Sequence, residues 1–282
     1  MRRLAAAATC VLALAVAGCA GARPDGVDGD LTDGWAPMPA AQAFRPATGT
    51  CHADLTETGT ADNYAPVPCA GPHLTETIAV ADVTGEAQAF AECSRRATAF
   101  LGADWRIGWD VLQPVRPGPG ARSGGARWVR CDVVETSPID GALARRSGSL
   151  KGALRAGGKL RMACANPRVE GDQVTEMHPV ACGSAHTAEF AGLFATTRRS
   201  SADLSEDDLG TGCNAAIAKF TGLRDDGDLP SRIGWLGFPP DDTAWKLGDR
   251  AIRCFLWLDG EKMTGSYRNA GPGKLKIHYT RR

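Results

Sequence analysis

The sequence has no excess of charge of either sign, because its 282 residues include 32 Lys and Arg against 32 Asp and Glu. A protein that binds nucleic acid by neutralising phosphates would normally have a basic excess, so we expect no nucleic-acid partner. The composition also lacks the low hydrophobicity of a disordered chain, since 43% of the residues are hydrophobic and 23% are charged. We therefore expect a globular protein, and its length suits two domains of roughly 100–130 residues.

Sequence signatures of common enzyme classes are missing as well. The chain has no G-x-S-x-G nucleophile elbow, no H-E-x-x-H motif, no P-loop and no G-x-G-x-x-G motif. Acidic pairs such as Asp225-Asp226 and Asp241-Asp242 lie in polar runs typical of solvated loops. From the sequence we assign no catalytic residue and expect no cofactor.

A hydrophobic run over residues 4–16 follows the basic residues Arg2 and Arg3. It is too short for a permanent membrane-spanning helix, which needs about 20 apolar residues. A basic start followed by a short apolar core is typical of a secretory signal peptide. We therefore expect the protein to be exported.

The residues after this run, V-A-G-C at positions 16–19, resemble the lipobox of bacterial lipoproteins. In that motif the cysteine receives a diacylglycerol and acyl chains such as palmitate, and it becomes the mature N-terminus. We predict a lipoprotein signal peptide over 1–18, lipidation of Cys19 and a flexible, Gly- and Asp-rich tether over 19–47. The lipid would hold the protein on the extracytoplasmic face of the cell membrane. The alternative is an ordinary signal peptide cleaved near Ala20.

Ten cysteines are too many for an ordinary cytosolic protein and indicate either metal binding or an oxidising compartment. Cys10 leaves with the signal peptide and Cys19 is assigned to the lipid. The other eight fall into two sets of four, which are Cys51, Cys69, Cys93 and Cys131, followed by Cys164, Cys182, Cys213 and Cys254.

The two cysteine sets belong to an internal repeat. Their separations are 18, 24 and 38 residues in the first set and 18, 31 and 41 in the second. The R-I-G-W sequence of residues 106–109 returns at 232–235, and G-S-L-K at 148–151 has the counterpart G-S-Y-R at 265–268. Ordered matches of this kind predict a duplicated domain, with repeat 1 over 48–150 and repeat 2 over 151–282.

Each repeat combines strand and helix patterns, so we predict an α+β fold in which an antiparallel sheet carries one packed helix. One helix is predicted over 85–101 and ends at Gly102, and its counterpart ends at Gly222. The helices are marked by apolar stripes, which are Phe90, Cys93, Ala97 and Phe100, and then Leu209, Cys213, Ile217 and Phe220. Strands are predicted over 49–55, 66–82, 129–133, 160–165, 189–196 and 252–258.

The helix cysteines and the last-strand cysteines both lie on apolar faces, so disulfides can join each helix to its sheet. We favour Cys93–Cys131 and Cys213–Cys254, with Cys51–Cys69 and Cys164–Cys182 joining the first two strands. Four cysteines allow three pairings in each repeat, so the other pairings stay open.

A Cys-x3-His-x2-Glu motif occurs in both repeats, with His73 and Glu76 in the first and His186 and Glu189 in the second. Cysteine, histidine and glutamate are all possible zinc ligands. Once the cysteine is oxidised, however, two ligands are too few for a structural site. We therefore expect no metal and assign the two His/Glu pairs to local hydrogen bonding, with their role open.

Four tryptophans are candidates for a carbohydrate-binding platform. Trp109 and Trp235 belong to the repeated R-I-G-W sequence, so we expect them in the core or packed on turns. Trp245 and Trp257 have no counterpart in the first repeat, and we expect them on an exposed surface.

The combination of motifs resembles the septum-formation-related domain of actinobacterial exported proteins and lipoproteins. The resemblance covers residues 47–282, and its most specific piece is C-A-G-P-H-L-T-E at 69–76. The second copy departs from this pattern, with Ala185 in place of proline. The resemblance implies an envelope role connected with septation and no established enzymatic activity.

These observations lead to two hypotheses on function. The first is a lipid-anchored, non-catalytic binding module of the cell envelope, with a division protein, another envelope protein or a cell-wall polymer as its partner. The alternative is an envelope enzyme resembling a cell-wall hydrolase, which would use His and carboxylate groups in a groove between the repeats. A passive envelope module without a specific ligand is a third possibility.

Overall fold

A computed structural model describes residues 43–278, all of which belong to one compact unit. The predicted signal peptide and Cys19 lie outside the described residues. The last part of the predicted tether is described, and it contacts the first sheet. Phe44 packs edge-on against the rings of Tyr64 and Trp128, and Arg45 pairs with Asp82. The folded unit therefore includes residues before position 48.

The first half of the unit contains a six-stranded sheet with the strand order β2-β5-β6-β4-β1-β3. Only β2 and β5 are parallel, and all other neighbours are antiparallel. The strands are β1 (Cys51–His52), β2 (Thr58–Gly59), β3 (Pro66–Val67), β4 (Thr75–Asp82), β5 (Asp110–Pro117) and β6 (Trp128–Glu135). The helices are α1 (Glu86–Leu101), α2 (Pro119–Ser123) and a 3-10 helix at Trp105–Ile107.

Helix α1 packs one face on this sheet and ends where the sequence predicts. Gly102 adopts the left-handed conformation at φ 89°, which favours glycine, and its N–H donates to the Thr98 carbonyl. Cys93 and Ala97 are buried in the predicted stripe, while Leu101 takes the fully buried place at the end of the helix and Phe100 is partly exposed.

The second half contains a five-stranded antiparallel sheet with the order β10-β11-β9-β7-β8. The strands are β7 (Cys164–Glu170), β8 (Gln173–Val180), β9 (Ala188–Ala195), β10 (Gly234–Phe238) and β11 (Ala251–Trp257). The helices are α3 (Glu206–Thr221), α4 (Asp242–Lys246) and α5 (Gly271–Lys274), with 3-10 helices at Ser201–Asp203 and Leu229–Ser231. Helix α3 starts with a capping box between Ser205 and Asp208 and ends at Gly222.

Strand pairing around the first cysteine is alike in the two halves. Cys51 lies opposite Val67 and Glu76, while Cys164 lies opposite Val180 and Glu189. The four disulfides are the pairs that the sequence analysis favours, namely Cys51–Cys69, Cys93–Cys131, Cys164–Cys182 and Cys213–Cys254. The second and fourth join a helix to the last strand of its half in chain order, β6 or β11. The α+β fold with mainly antiparallel sheets is thus confirmed.

Several strands differ from the prediction. The strand expected over 49–55 is only the pair Cys51–His52, and the one expected over 160–165 begins at Cys164. Strands β5, β8 and β10 were not predicted, because their residues do not show a clear two-residue alternation.

Strand β6 is buried on both faces, although its sequence alternates apolar with charged residues. Arg130 and Asp132 form an ion pair of 2.7 Å with both side chains almost fully buried. Thr77 Oγ1 donates to Asp132 across 2.8 Å. Trp128 precedes Arg130 by two residues and Asp132 by four, so the three side chains lie on the same face of β6. Phe44 covers Trp128, and the chain before β1 therefore closes this face of the sheet.

The core of the first half extends past residue 150. Leu150, Leu154 and Leu160 pack with the buried residues of α1 and β6, although the last two belong to the second predicted repeat. Trp245 is buried, contrary to the expectation of an exposed surface. The Arg250 guanidinium lies over its ring, and its indole N–H donates to the Arg199 carbonyl at 2.9 Å. Trp257 is partly exposed.

Candidate functional site

The first repeated pair, His73 and Glu76, lies at the start of β4. His73 is fully buried, and its Nδ1 lies 2.8 Å from the Gly71 carbonyl oxygen. Because a carbonyl only accepts, Nδ1 carries the proton of this contact. The other ring nitrogen, Nε2, is buried without a hydrogen-bond partner among the described residues.

Glu76 is the acceptor that holds the segment after β6 against the sheet. Its carboxylate accepts hydrogen bonds from Arg146 Nη2 at 2.7 Å, from Ser149 Oγ at 2.6 Å and from the Leu150 backbone N–H at 2.8 Å. All three donors lie at least 70 residues further along the chain. This carboxylate therefore connects β4 to a distant loop and to the first core.

The second repeated pair has the same arrangement with one difference. His186 Nδ1 lies 2.8 Å from the Ser184 carbonyl, and Glu189 accepts from Ser266 Oγ at 2.5 Å and from the Tyr267 N–H at 2.7 Å. The backbone of His73 pairs with Arg146, whereas that of His186 pairs with Met263. Glu189 thus has no guanidinium partner at the matching position.

One group among the described residues has the spacing of metal ligands. Ligand atoms of Cys164, His186 and Glu189 all lie within 4.8 Å of one another. The sulfur of Cys164 is bonded to Cys182, and both Glu189 oxygens accept hydrogen bonds. A cysteine binds zinc as a thiolate, so with Cys164 in a disulfide the group offers one histidine and a carboxylate that is already engaged.

A groove of about 480 Å³ lies between the two halves, beside the place where β7 leaves β9. Glu189 and Phe190 of β9 line it on one side, and Phe220 at the end of α3 lines it as well. Two arginines also line it, Arg161 from the segment that connects the halves and Arg268 from the segment after β11. This groove combines a carboxylate, two guanidinium groups and two aromatic rings.

The halves also meet at a buried ionic cluster. Arg106 Nε donates to Asp249 across 2.8 Å, and Arg253 Nε donates to the Arg106 carbonyl oxygen across 2.8 Å. Asp110 is buried next to this cluster, and neither of its oxygens has a hydrogen-bond partner among the described residues. Loss of hydration raises the pKa of Asp110 to about 8, although the positive charge of Arg253 opposes the rise.

The two His/Glu pairs are evident in the sequence, but the residues that bind them are not. Ser149 and Ser266 stand in the repeated G-S-L-K and G-S-Y-R segments, so the repeat itself pointed to them. Arg146 and Met263 are not matched in the sequence, and only the backbone pairing reveals their equivalence. Arg161 lies outside every repeated motif and gave no signal.

The chain resembles one family of known proteins. No described helix is long and apolar enough to cross a membrane. No curated protein and no solved structure matches the chain. The sequence profile of one family, described as septum formation, matches residues 48–254 in a single span that includes both cysteine sets. Because this span covers most of the chain, the protein belongs to the septum-formation family.

Proposed function

We propose that the protein is an exported lipoprotein that acts as a non-catalytic binding module of the cell envelope during septum formation. Its lipid on Cys19 would anchor it to the extracytoplasmic face of the membrane. The observation that carries the proposal is the state of the repeated His/Glu pairs. Both histidines are fully buried and bonded to backbone carbonyls, so the two imidazoles stabilise loops and neither is exposed to a substrate.

Four disulfides support export, because such bonds persist in oxidising compartments and are rare in the cytosol. Family membership supports the connection with septum formation. The partner would be a division protein, another envelope protein or a cell-wall polymer, and the groove between the halves offers a place for it.

We further propose that the chain arose by tandem duplication, with repeats over 48–150 and 151–282. Five strands of each sheet follow the same spatial order when they are matched in chain sequence. The disulfides of each half join equivalent elements, and Glu76 and Glu189 each accept from a serine hydroxyl and the next backbone N–H. A common ancestor explains these correspondences without requiring the same function of both halves.

The alternative of a cell-wall hydrolase has one observation in its favour, since Glu189 lines the groove. A general acid or base needs a lone pair or proton directed at the substrate. Both oxygens of Glu189 already accept hydrogen bonds, which favours the binding function. If purified full-length protein hydrolyses cell-wall material and Glu189→Gln abolishes that hydrolysis, the enzyme hypothesis replaces the one proposed.

Localisation of the full-length chain tests the proposed function. A fluorescently tagged chain should concentrate at division septa, and the Cys19→Ala variant should leave the membrane fraction. Ser200→Ala is the matched control, because it changes an exposed residue far along the chain from Cys19. It should alter neither the septal localisation nor the membrane partitioning. Uniform distribution over the envelope would contradict a septal role, and continued membrane partitioning of Cys19→Ala would contradict the lipid anchor.

A further inference from the structure

The groove between the halves contains more positive than negative charge. Arg161 and Arg268 contribute two guanidinium groups, and Glu189 contributes one carboxylate. Neither arginine forms an ion pair with a carboxylate among the described residues. The ionic groups that line this groove therefore leave a net positive charge toward solvent.

Glu189 does not neutralise the arginines directly. Its two oxygens accept from Ser266 Oγ and from the Tyr267 N–H, and the side chain is almost fully buried. In the first half the equivalent carboxylate of Glu76 is paired with Arg146. The second half has Met263 at that position, so its arginines in the groove are not used to hold the glutamate.

Each groove arginine is held in place while most of its donors stay free. The guanidinium of Arg268 lies 4.6 Å from the centre of the Phe220 ring, a contact that fixes the plane of the group and leaves its N–H edge open. Arg161 donates from Nη1 to the Leu154 carbonyl oxygen at 3.2 Å. A guanidinium has five N–H donors, so this bond uses a minor part of its capacity.

We propose that this groove is a binding site for an oxyanion group, which Arg161 and Arg268 bind together. Guanidinium groups match the geometry of phosphate and carboxylate oxygens through paired hydrogen bonds. The aromatic rings of Phe190 and Phe220 would contact the uncharged part of such a ligand. Arg161 comes from the segment that connects the halves and Arg268 from the segment after β11, and Ile107 of the first half also lines the groove. The inference names a ligand class for the proposed binding module and in that sense rests on it.

Titration calorimetry on the full-length chain in mild detergent tests the site with three probes. Pyrophosphate supplies phosphoryl oxygens, succinate supplies carboxylates, and N-acetylglucosamine is a neutral control. We expect pyrophosphate or succinate to bind and the neutral sugar not to bind. Preference for one of the two anions identifies the source of the oxyanion, and binding of either supports the site.

Substitutions then locate the binding. Arg161→Gln and Arg268→Gln should each lower the affinity for the anion about tenfold or more, because each removes charged hydrogen bonds. Arg224→Gln removes the same charge from an exposed position that does not line the groove, so it should change the affinity less than twofold. Arg268→Lys keeps the charge and loses the planar group, and an intermediate affinity is expected.

Thermal unfolding of every variant shows whether the fold is retained. Arg268 is exposed, so we expect Arg268→Gln to disturb the fold less than Arg161→Gln. The inference is overturned if neither anion binds at millimolar concentration, or if Arg224→Gln weakens binding as much as the groove variants. Septal localisation is measured separately. Absence of anion binding together with septal localisation would reject this inference alone.

Discussion

Arg106 and Asp249 form an ion pair between the two halves of the protein, with 2.8 Å between Nε and Oδ1 and 143 positions between the residues in sequence. Asp249 is only 4% exposed, and its Oδ1 also lies 3.2 Å from the Ala251 N–H donor. Arg106 in turn provides the carbonyl oxygen that Arg253 binds. This pair ties the 3-10 helix of the first half to the residues just before strand β11 of the second.

Loss of this pair should weaken the whole unit. We expect Arg106→Gln to lower the free energy of unfolding by about 2–4 kcal/mol, because the buried carboxylate of Asp249 then loses its hydrogen-bonded counter-charge. Guanidinium-induced unfolding with the disulfides intact measures the change. Arg95→Gln is the matched control, since it breaks an exposed ion pair with Glu92 and should cost much less stability. Equal losses in the two variants would show that the pair contributes nothing to the junction.

Asp110 should make stability fall as the pH rises. Its pKa is raised to about 8 in the folded protein by loss of hydration, whereas an aspartate of an unfolded chain titrates near 3.8. Between these values the unfolded chain releases a proton that the folded protein keeps, so unfolding becomes easier with increasing pH. The slope approaches about 1.4 kcal/mol per pH unit, and the loss is complete above pH 8.

Asp110→Asn should therefore flatten the dependence of stability on pH between about 4 and 8. Unfolding midpoints across this range measure the effect. The exposed Asp140 provides the control, because hydrogen bonding by Ser137 lowers its pKa and it titrates below this range. Asp140→Asn should leave the slope unchanged, and an unchanged slope in Asp110→Asn would contradict the assignment.

The two repeated glutamates should differ in their tolerance of substitution. Glu76→Gln leaves the buried Arg146 without its counter-charge, while Glu189→Gln affects no equivalent cation because Met263 occupies that place. Each variant also loses one hydrogen-bond acceptor, so this part of the cost cancels in the comparison. We expect Glu76→Gln to be the more destabilising by about 1–3 kcal/mol in urea unfolding.

A second variant checks the origin of that difference. Arg146→Met gives the first half the residue found in the second, and combining it with Glu76→Gln should recover part of the loss caused by Glu76→Gln alone. Additive losses in the double variant would mean that the two side chains do not interact.

The helix-to-sheet disulfides should contribute similar stability in the two halves. Cys93–Cys131 and Cys213–Cys254 close segments with sequence separations of 38 and 41 residues. Replacing either pair with alanine should lower the stability by about 4 kcal/mol in the chain-entropy account, against about 3 kcal/mol for the 18-residue pair Cys164–Cys182. Thermal unfolding of the double-alanine variants measures the cost. A variant that unfolds only one half would show that the halves fold independently.

Local patterns predicted much of the architecture and little of the site. The helices were predicted because their apolar residues repeat with the helical period and a glycine ends each one. Strand β8 was missed because its apolar residues do not alternate regularly with polar ones along the sequence. Burial of Arg130 was missed because the alternation in β6 implied a solvent-facing side, while residues before β1 cover it.

The sequence by itself determined the two sets of four cysteines, the two helices and the repeated His/Glu and Gly-Ser segments, since each is encoded by local spacing or by direct repetition. Tertiary structure alone decided which residues meet across the molecule. It placed Arg146 on Glu76, Asp249 on Arg106, and both Arg161 and Arg268 beside one groove. These contacts join segments that lie far apart in the chain, and their side chains carry no periodic signal because each position is used once.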